Sequence, residues 1–281
     1  MLSIPAGSRY AAMGSSFAAG PGIPARAPAS PRRAGRSSGN YAHLVAGALG
    51  LDLHDVTYSG ATTSDIMQPS AAGQPAQLDA VTPDTRLVTI TAGGNDVGYL
   101  PRLTLASLPW PLRALPHVRA RIAGYGDQDV TDERFGQLER NLVTIGRLLR
   151  GRAPACRVLF VDYLTILPPH GDNPGAPPPP QIARWGRVIA ARLAATTQAA
   201  ALAAGCEYVS ASAASADHHA WSAAPWTRRF HLSLRGGAPY HPNAAGMAAV
   251  SQLVLAALTA DQPPAPPPAP ATRHDPSRRF P

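Results

Sequence analysis

The chain has 281 residues, of which 45% are hydrophobic, and a formal net charge of +8. This length and composition fit one globular domain with irregular ends, and they exclude a wholly disordered chain. Every Lys/Arg position is arginine, but the densest cluster, Arg26 to Arg36, has no interleaved aromatic residues, so a nucleic-acid partner is not expected.

Strand and helix patterns alternate along the chain. Strands are predicted at Tyr10–Met13, Leu51–Val56, Arg86–Ala92, Arg157–Tyr163 and Glu207–Ser210. Helices are predicted at Asn40–Leu49, Asp132–Arg150, Gln181–Ala204 and Pro242–Leu258, the last opening with proline in its first turn. This alternation predicts an α/β protein with three layers, α/β/α, around a flavodoxin-like parallel sheet of about five strands.

Three segments interrupt this alternation. Val97–Asp129 is long and rich in proline, arginine and leucine, so it is either a lid or substrate wall or a surface excursion. Residues 168–180 form a proline-rich connector, and the sequence after Gln262 has no periodicity. We therefore expect one domain over residues 1–260 and a disordered Pro/Arg-rich tail over residues 261–281.

The sequence also bears on location and assembly. It contains no run of eighteen apolar residues, so no transmembrane segment is expected. As written, the chain begins without the basic start, apolar stretch and cleavage site of a signal peptide, which predicts a cytoplasmic protein. A true start further upstream would leave secretion open. A monomer is expected.

Two cysteines, Cys156 and Cys206, each precede a predicted strand. If these strands are neighbours, both cysteines lie at the same edge of the sheet, and either a disulfide or two buried thiols would result. Neither cysteine has further Cys or His residues near it in the sequence, as a metal site would require. The pair His218-His219 beside Asp217 is interpreted as part of a solvated loop rather than as metal ligands. No metal and no cofactor are expected.

Residues suited to acyl transfer follow the predicted strands. Ser15 and Ser16 come after the first strand, Gly60 after the second and Asn95 after the third, while His241 precedes the last helix. Ligands of open α/β sheets bind beyond the carboxyl ends of the strands, where these residues would meet. Histidine can take the proton of a serine nucleophile, and amide N–H groups can stabilise an oxyanion. The sequence therefore predicts a serine hydrolase site.

Each of these residues also has a purely structural interpretation. A serine at the end of a strand is common in ordinary turns, and glycine is a common turn residue. Asn95 would then brace its loop, as Asp96 is expected to do by local hydrogen bonds, and His241 would cap the last helix.

Four sequence blocks favour the catalytic interpretation. They are GSSFAAGPG (14–22), SGATT (59–63), GGND (93–96) and HPNAAG (241–246). In order and spacing they resemble the conserved blocks of the SGNH hydrolases, also called GDSL esterases and lipases, over Tyr10 to Leu258. Ser15 stands where the family name has aspartate. The resemblance implies Ser16 as nucleophile, the amides of Ser16 and Gly60 with the Asn95 side chain as the oxyanion hole, and His241 as base.

The resemblance also implies the SGNH hydrolase fold and the cleavage of carboxylic esters, of small molecules or lipids, through an acyl-serine intermediate without a cofactor. The chain departs from the family at position 238, because the family carries aspartate three residues before its histidine and this chain has Ala238. Similar relatives use a backbone carbonyl there, which predicts a Ser–His dyad with the Ala238 carbonyl orienting His241. A competing hypothesis brings Asp217 to His241 and restores a triad.

Two further functions remain open at this point. One is an esterase that removes acetyl groups from polysaccharide with the same residues. The other is a non-catalytic binding protein on the same scaffold, which the missing aspartate makes conceivable.

Overall fold

A computed structural model of the protein describes residues 4–70, 73–125, 128–170, 177–232 and 238–260. Its sheet consists of β1 (Arg9–Gly14), β2 (Asp52–Asp55), β3 (Leu87–Thr91), β4 (Arg157–Val161) and β5 (Glu207–Val209). All neighbouring strands are parallel, in the order β2-β1-β3-β4-β5. The predicted five-stranded parallel sheet is thereby confirmed. The predicted tail, 261–281, lies outside the described residues.

Ten α-helices connect and cover the strands in the described part of the chain. They are α1 (Ser16–Ala19), α2 (Tyr41–Leu49), α3 (Thr63–Met67), α4 (Tyr99–Ser107), α5 (Trp110–Arg113), α6 (Pro116–Ala123), α7 (Gln128–Arg152), α8 (Pro180–Ala203), α9 (Ala211–Ala214) and α10 (Ala244–Thr259). Helix α2 contacts α10, and α7 contacts α8. The helices flank the sheet in a three-layer α/β/α arrangement. No described helix is long and apolar enough to cross a membrane.

The strand order determines where a ligand can bind. The chain moves outward from β1 to β2 and then returns past β1 to β3, so the connections on the two sides of β1 run in opposite directions. This is the topological switch point of the flavodoxin-like order, beyond whose strand ends α/β proteins bind ligands. Residues that follow β1 and β3 therefore meet at one crevice.

The start of the last helix differs from the prediction. Helix α10 begins at Ala244, and the side chain of Asn243 accepts a hydrogen bond from the Gly246 amide at 2.9 Å. Asparagine is among the strongest N-cap residues because its side-chain oxygen satisfies an otherwise unpaired amide of the first turn. The prediction that Pro242 lies in the first turn is therefore wrong, and so is a capping role for His241. Pro242 instead forms an isolated bridge with Thr227.

Residues 97–129, left open between a lid and a surface excursion, contain helices α4 to α6 and the start of α7. Helix α4 starts at Tyr99, and only Val97 and Gly98 separate it from the GGND block. Because α4 contacts α8, this part of the excursion is attached to the body of the domain.

Candidate active site

Strand β1 ends at a glycine that no other residue could replace. Gly14 has φ +129°, and a Cβ there would lie 2.2 Å from the Thr91 carbonyl oxygen, well inside van der Waals contact. The side chain of Gln77 donates to the Gly14 carbonyl at 3.1 Å and accepts from the Gly14 amide at 2.7 Å. The chain therefore leaves the sheet at a fixed angle, and α1 starts two residues later at Ser16.

Ser16 faces a histidine from the far end of the sequence. Its Oγ lies 2.7 Å from His241 Nε2, and both residues are buried. The Arg228 amide donates to the His241 carbonyl at 2.9 Å, which holds the histidine loop in place. Serine and histidine at this distance have the geometry of a nucleophile and its base.

The second ring nitrogen of His241 contacts a backbone carbonyl. Nδ1 lies 2.8 Å from the Pro239 oxygen, whereas the Ala238 oxygen accepts from the His241 amide at 3.4 Å. The prediction that the Ala238 carbonyl orients the ring is therefore wrong by one residue. The cause is the turn at 238–241, which directs the Ala238 carbonyl to the main chain and the next carbonyl to the ring. In the described chain, no hydrogen bond or ion pair joins Asp217 to His241.

Burial sets the protonation state of His241. Desolvation lowers its pKa to about 4, the hydrogen bond to Pro239 opposes this shift, and the positive charge of Arg228 adds to it. The ring is therefore neutral at neutral pH. Because a carbonyl oxygen only accepts hydrogen bonds, Nδ1 carries the proton and Nε2 presents its lone pair to the Ser16 hydroxyl.

Two further predicted residues lie beside β1. The Tyr58 amide donates to the Gly14 carbonyl at 3.0 Å, which brings the loop after β2 to the end of β1. Gly60 has φ +87° in this loop, a conformation that favours glycine. Asn95 Nδ2 donates to the Ala61 carbonyl at 2.8 Å, so its amide is held next to Gly60. Among the described residues, the main-chain N–H groups of Ser16 and Gly60 have no hydrogen-bond partner.

The adjacent serine has a different partner. Ser15 Oγ lies 3.2 Å from the Tyr163 hydroxyl, which also accepts from the Gly94 amide at 2.9 Å. Burial raises the pKa of Tyr163 to about 12, so the phenol remains neutral. The Phe17 ring packs against both the Tyr163 ring and the His241 ring, with centroid distances of 4.6 Å and 5.3 Å. Only one of the two serines therefore contacts a base.

Asp96 braces the loop that carries Asn95, over a longer range than predicted. Its carboxylate accepts from the amide and hydroxyl of Thr63 at the start of α3. The Thr63 hydroxyl accepts in turn from Asn141 Nδ2 on α7 at 2.8 Å. Desolvation raises the pKa of Asp96, and these hydrogen bonds oppose the shift. Asp96 therefore fixes the loop after β3, which carries Asn95, to α3 and α7.

Arg228 is a site residue that sequence reasoning missed. Its guanidinium donates to the carbonyl oxygens of Pro21 and Gly22, at 3.2 Å and 3.1 Å. These residues belong to the GSSFAAGPG block, so Arg228 ties the serine segment to the histidine loop. No local pattern marks an arginine for this role.

The cysteines are free and buried in the structure, although β4 and β5 are neighbours as expected. Burial raises the pKa of Cys156 to about 12 and that of Cys206 to about 11, so both thiols stay protonated.

The His218 ring stacks on Trp226 with centroids 4.0 Å apart. Within the described ranges, no three His, Cys, Asp or Glu side chains are grouped as metal ligands.

A cavity of about 330 Å³ lies beside Gly60. It borders Gly60 and Ala61 but not Ser16, Asn95 or His241, so it opens next to the predicted oxyanion position rather than around the nucleophile. Its walls combine aliphatic, aromatic and polar side chains: Arg36, Val56, Tyr58, Ser59, Asp65, Ser70, Gln74, Pro75, Ala76 and Gln77.

Comparison with known proteins gives concordant matches. The model of the GDSL-like Lipase/Acylhydrolase family matches residues 12–249. Lipase 2 of Streptomyces coelicolor is 32% identical over 261 residues, which cover 90% of this chain and 86% of that protein. The extracellular lipase of Streptomyces rimosus superimposes with a TM-score of 0.70 at 25% identity, over 89% of this chain and 99% of that one. Phospholipase A1 of Streptomyces albidoflavus superimposes with a TM-score of 0.71 at 23% identity, over 89% of this chain and 99% of that one.

Proposed function

This chain belongs to the GDSL-like lipase/acylhydrolase family and is a hydrolase of the esterase/lipase type, and we propose that it cleaves carboxylic esters through an acyl intermediate on Ser16. The family membership predicted from the four sequence blocks is confirmed. The observation that carries the proposal is the 2.7 Å contact between Ser16 Oγ and the neutral, buried His241 Nε2.

In the proposed first step, Ser16 Oγ attacks the ester carbonyl carbon while its proton passes to His241 Nε2. The carbonyl oxygen becomes an oxyanion, for which the amides of Ser16 and Gly60 and the Asn95 side chain would supply three donors. Such donors act mainly on charge that develops in the transition state. Collapse of the tetrahedral intermediate breaks the C–O bond, and the departing alkoxide takes the proton from His241.

In the second step, His241 takes a proton from water, and the resulting hydroxide attacks the acyl-serine carbonyl. The C–O bond to Ser16 breaks, Ser16 recovers its proton and the carboxylic acid leaves. Throughout, Nδ1 of His241 keeps its proton and donates it in a hydrogen bond to the Pro239 carbonyl oxygen. A neutral carbonyl fixes the tautomer but stabilises an imidazolium less than a carboxylate would, so we assign a Ser–His dyad.

For the substrate, we propose a lipid ester or another ester with an apolar arm. The cavity beside Gly60 adjoins the proposed oxyanion position and offers Val56, Tyr58 and Ala61 as apolar wall. Pockets of this volume, with a few polar groups, are typical of small-molecule sites. The lipases and the phospholipase A1 among its relatives are consistent with this assignment.

The test is hydrolysis of p-nitrophenyl esters of increasing acyl length. We expect turnover by the wild-type chain that Ser16→Ala abolishes, with the preferred acyl chain longer than acetyl. Gln74→Trp, at the partly exposed wall of the cavity, should shift the preference to shorter chains. Turnover restricted to acetyl groups would favour the polysaccharide esterase, and no turnover of any ester would favour the binding protein.

A further inference from the structure

The excursion after the GGND block presents an unusual exposed surface. Helix α5 buries none of its residues, and the side chains of Trp110, Leu112 and Leu115 are 73%, 42% and 40% exposed. We call residues 109–116, together with Arg119 and Arg121 on α6, the Trp110 surface. Large apolar side chains that protrude together from one segment are a mark of an interaction site.

The charge of this segment has one sign. No aspartate or glutamate occurs between Val97 and Tyr125, whereas four arginines do. Arg102 is turned inward, where it donates to the Tyr125 carbonyl at 2.7 Å and lies over the Trp185 ring. Arg119 and Arg121 are exposed and have no partner in the described part of the chain. The outward charge of the surface is therefore positive.

The Trp110 surface is attached to the proposed active site at both ends of α4. At the start of α4, the Tyr99 amide donates to the Gly94 carbonyl at 2.8 Å, next to Asn95. At its end, the Ser107 hydroxyl lies 2.7 Å from the hydroxyl of Tyr240, the residue before His241. The surface therefore lies at the same edge of the sheet as Ser16 and His241.

We propose that the Trp110 surface docks the protein on an anionic lipid surface. Tryptophan is favoured at membrane–water interfaces, where its ring is apolar and its N–H stays wet. Apolar side chains flanked by arginine bind such interfaces by burying apolar area and by attraction to anionic headgroups. A second copy of this chain would present the same positive charge and be repelled. The proposal does not depend on ester hydrolysis, although docking would bring lipid esters to the proposed site.

Vesicle binding tests the proposal. All variants are made in the Ser16→Ala background, so that lipid is not hydrolysed, and are sedimented with phosphatidylcholine vesicles that contain or lack phosphatidylglycerol. Binding should require phosphatidylglycerol and weaken with salt. Trp110→Ser and Arg119→Glu should each weaken it by about tenfold. With Ser16 intact, Trp110→Ser should leave hydrolysis of a soluble short-chain ester unchanged.

Matched controls come from the opposite edge of the sheet. Leu202 is 67% exposed near the end of α8, just before β5 begins, and exposed Arg147 lies in the last turns of α7, which leads into β4. Leu202→Ser and Arg147→Glu should leave the affinity for anionic vesicles within about twofold, because they alter apolar area and charge away from the Trp110 surface. Absence of binding to anionic vesicles, equal loss in the controls, or a Trp110-dependent dimer in size-exclusion chromatography would each overturn the proposal.

Discussion

Ser16 Oγ and His241 Nε2 lie 2.7 Å apart although 225 positions separate the two residues along the chain. The fold brings them together because β1 delivers Ser16 to the switch point of the sheet and Asn243 starts α10 just after His241. The Pro239 carbonyl then selects the tautomer that faces the serine. In the proposed mechanism this pair supplies the nucleophile and the base without a carboxylate.

The first prediction concerns pH. Burial lowers the pKa of His241 to about 4, so the base form persists well below neutrality. As pH falls through this pKa the ring gains a proton, and kcat/KM should fall with an acidic limb near pH 4 rather than near 6.5. This pH profile can be measured with p-nitrophenyl esters by stopping each reaction and raising the pH before the product is read. Arg228→Gln removes a positive charge, which should raise the pKa and move the limb upward; a wild-type limb near 6.5 would contradict the assignment.

The second prediction concerns the oxyanion. Asn95→Ala should lower kcat by about 10²–10³-fold with little change in KM, because the donor acts on developing charge. Its matched control is Asn141→Ala, which removes an amide from the Thr63–Asp96 network without touching the proposed oxyanion. That control should lower the melting temperature while kcat stays within about tenfold. If Asn95→Ala instead raised KM and left kcat unchanged, Asn95 would be a substrate-binding residue rather than an oxyanion donor.

The third prediction separates the dyad from a triad. Asp217 lies in the short 3₁₀ turn Ala216–His218. Burial lowers the pKa of His219, and the negative charge of Asp217 opposes this shift, so Asp217 acts on His219. Asp217→Asn should therefore leave kcat/KM within about tenfold, whereas the loss of a triad aspartate costs on the order of 10⁴-fold in kcat. A loss of that size in a folded variant, judged by circular dichroism, would make Asp217 the catalytic acid.

The fourth prediction concerns the cysteines. Cys156 and Cys206 are free, buried and protonated, so native protein should react slowly with a thiol reagent and denatured protein should expose two thiols. Reductant should leave the melting temperature unchanged. Protein purified without reductant that has no titratable thiol after denaturation would instead contain a bridge between them.

Local patterns were enough to predict the sheet, and the resemblance of four sequence blocks to the family named most residues of the candidate site. The buried, β-branched run Leu87–Thr91 and the alternation around it predicted the strands to within a few residues. Ser16, Gly60, Asn95 and His241 stand in blocks whose order resembles the family, so they could be named before any contact was known.

The remaining features depend on contacts that no local pattern records. Tyr163 meets Ser15 across 148 positions, and Arg228 meets Pro21 across 207. The choice of Pro239 over Ala238 depends on the register of a turn in which Tyr240 has φ +64°. The start of α10 was missed because the cap of Asn243 prevails over the first-turn preference of proline.

Ser16, and not Ser15, is the proposed nucleophile that His241 activates. A fluorophosphonate probe forms a covalent bond with an activated serine hydroxyl and expels fluoride, and peptide mass spectrometry locates the adduct. We predict the adduct on Ser16 in the wild-type chain and in Ser15→Ala, and its loss in Ser16→Ala and His241→Ala. An adduct on Ser15, or labelling that persists undiminished in Ser16→Ala or His241→Ala, would contradict the assignment of Ser16 as the nucleophile.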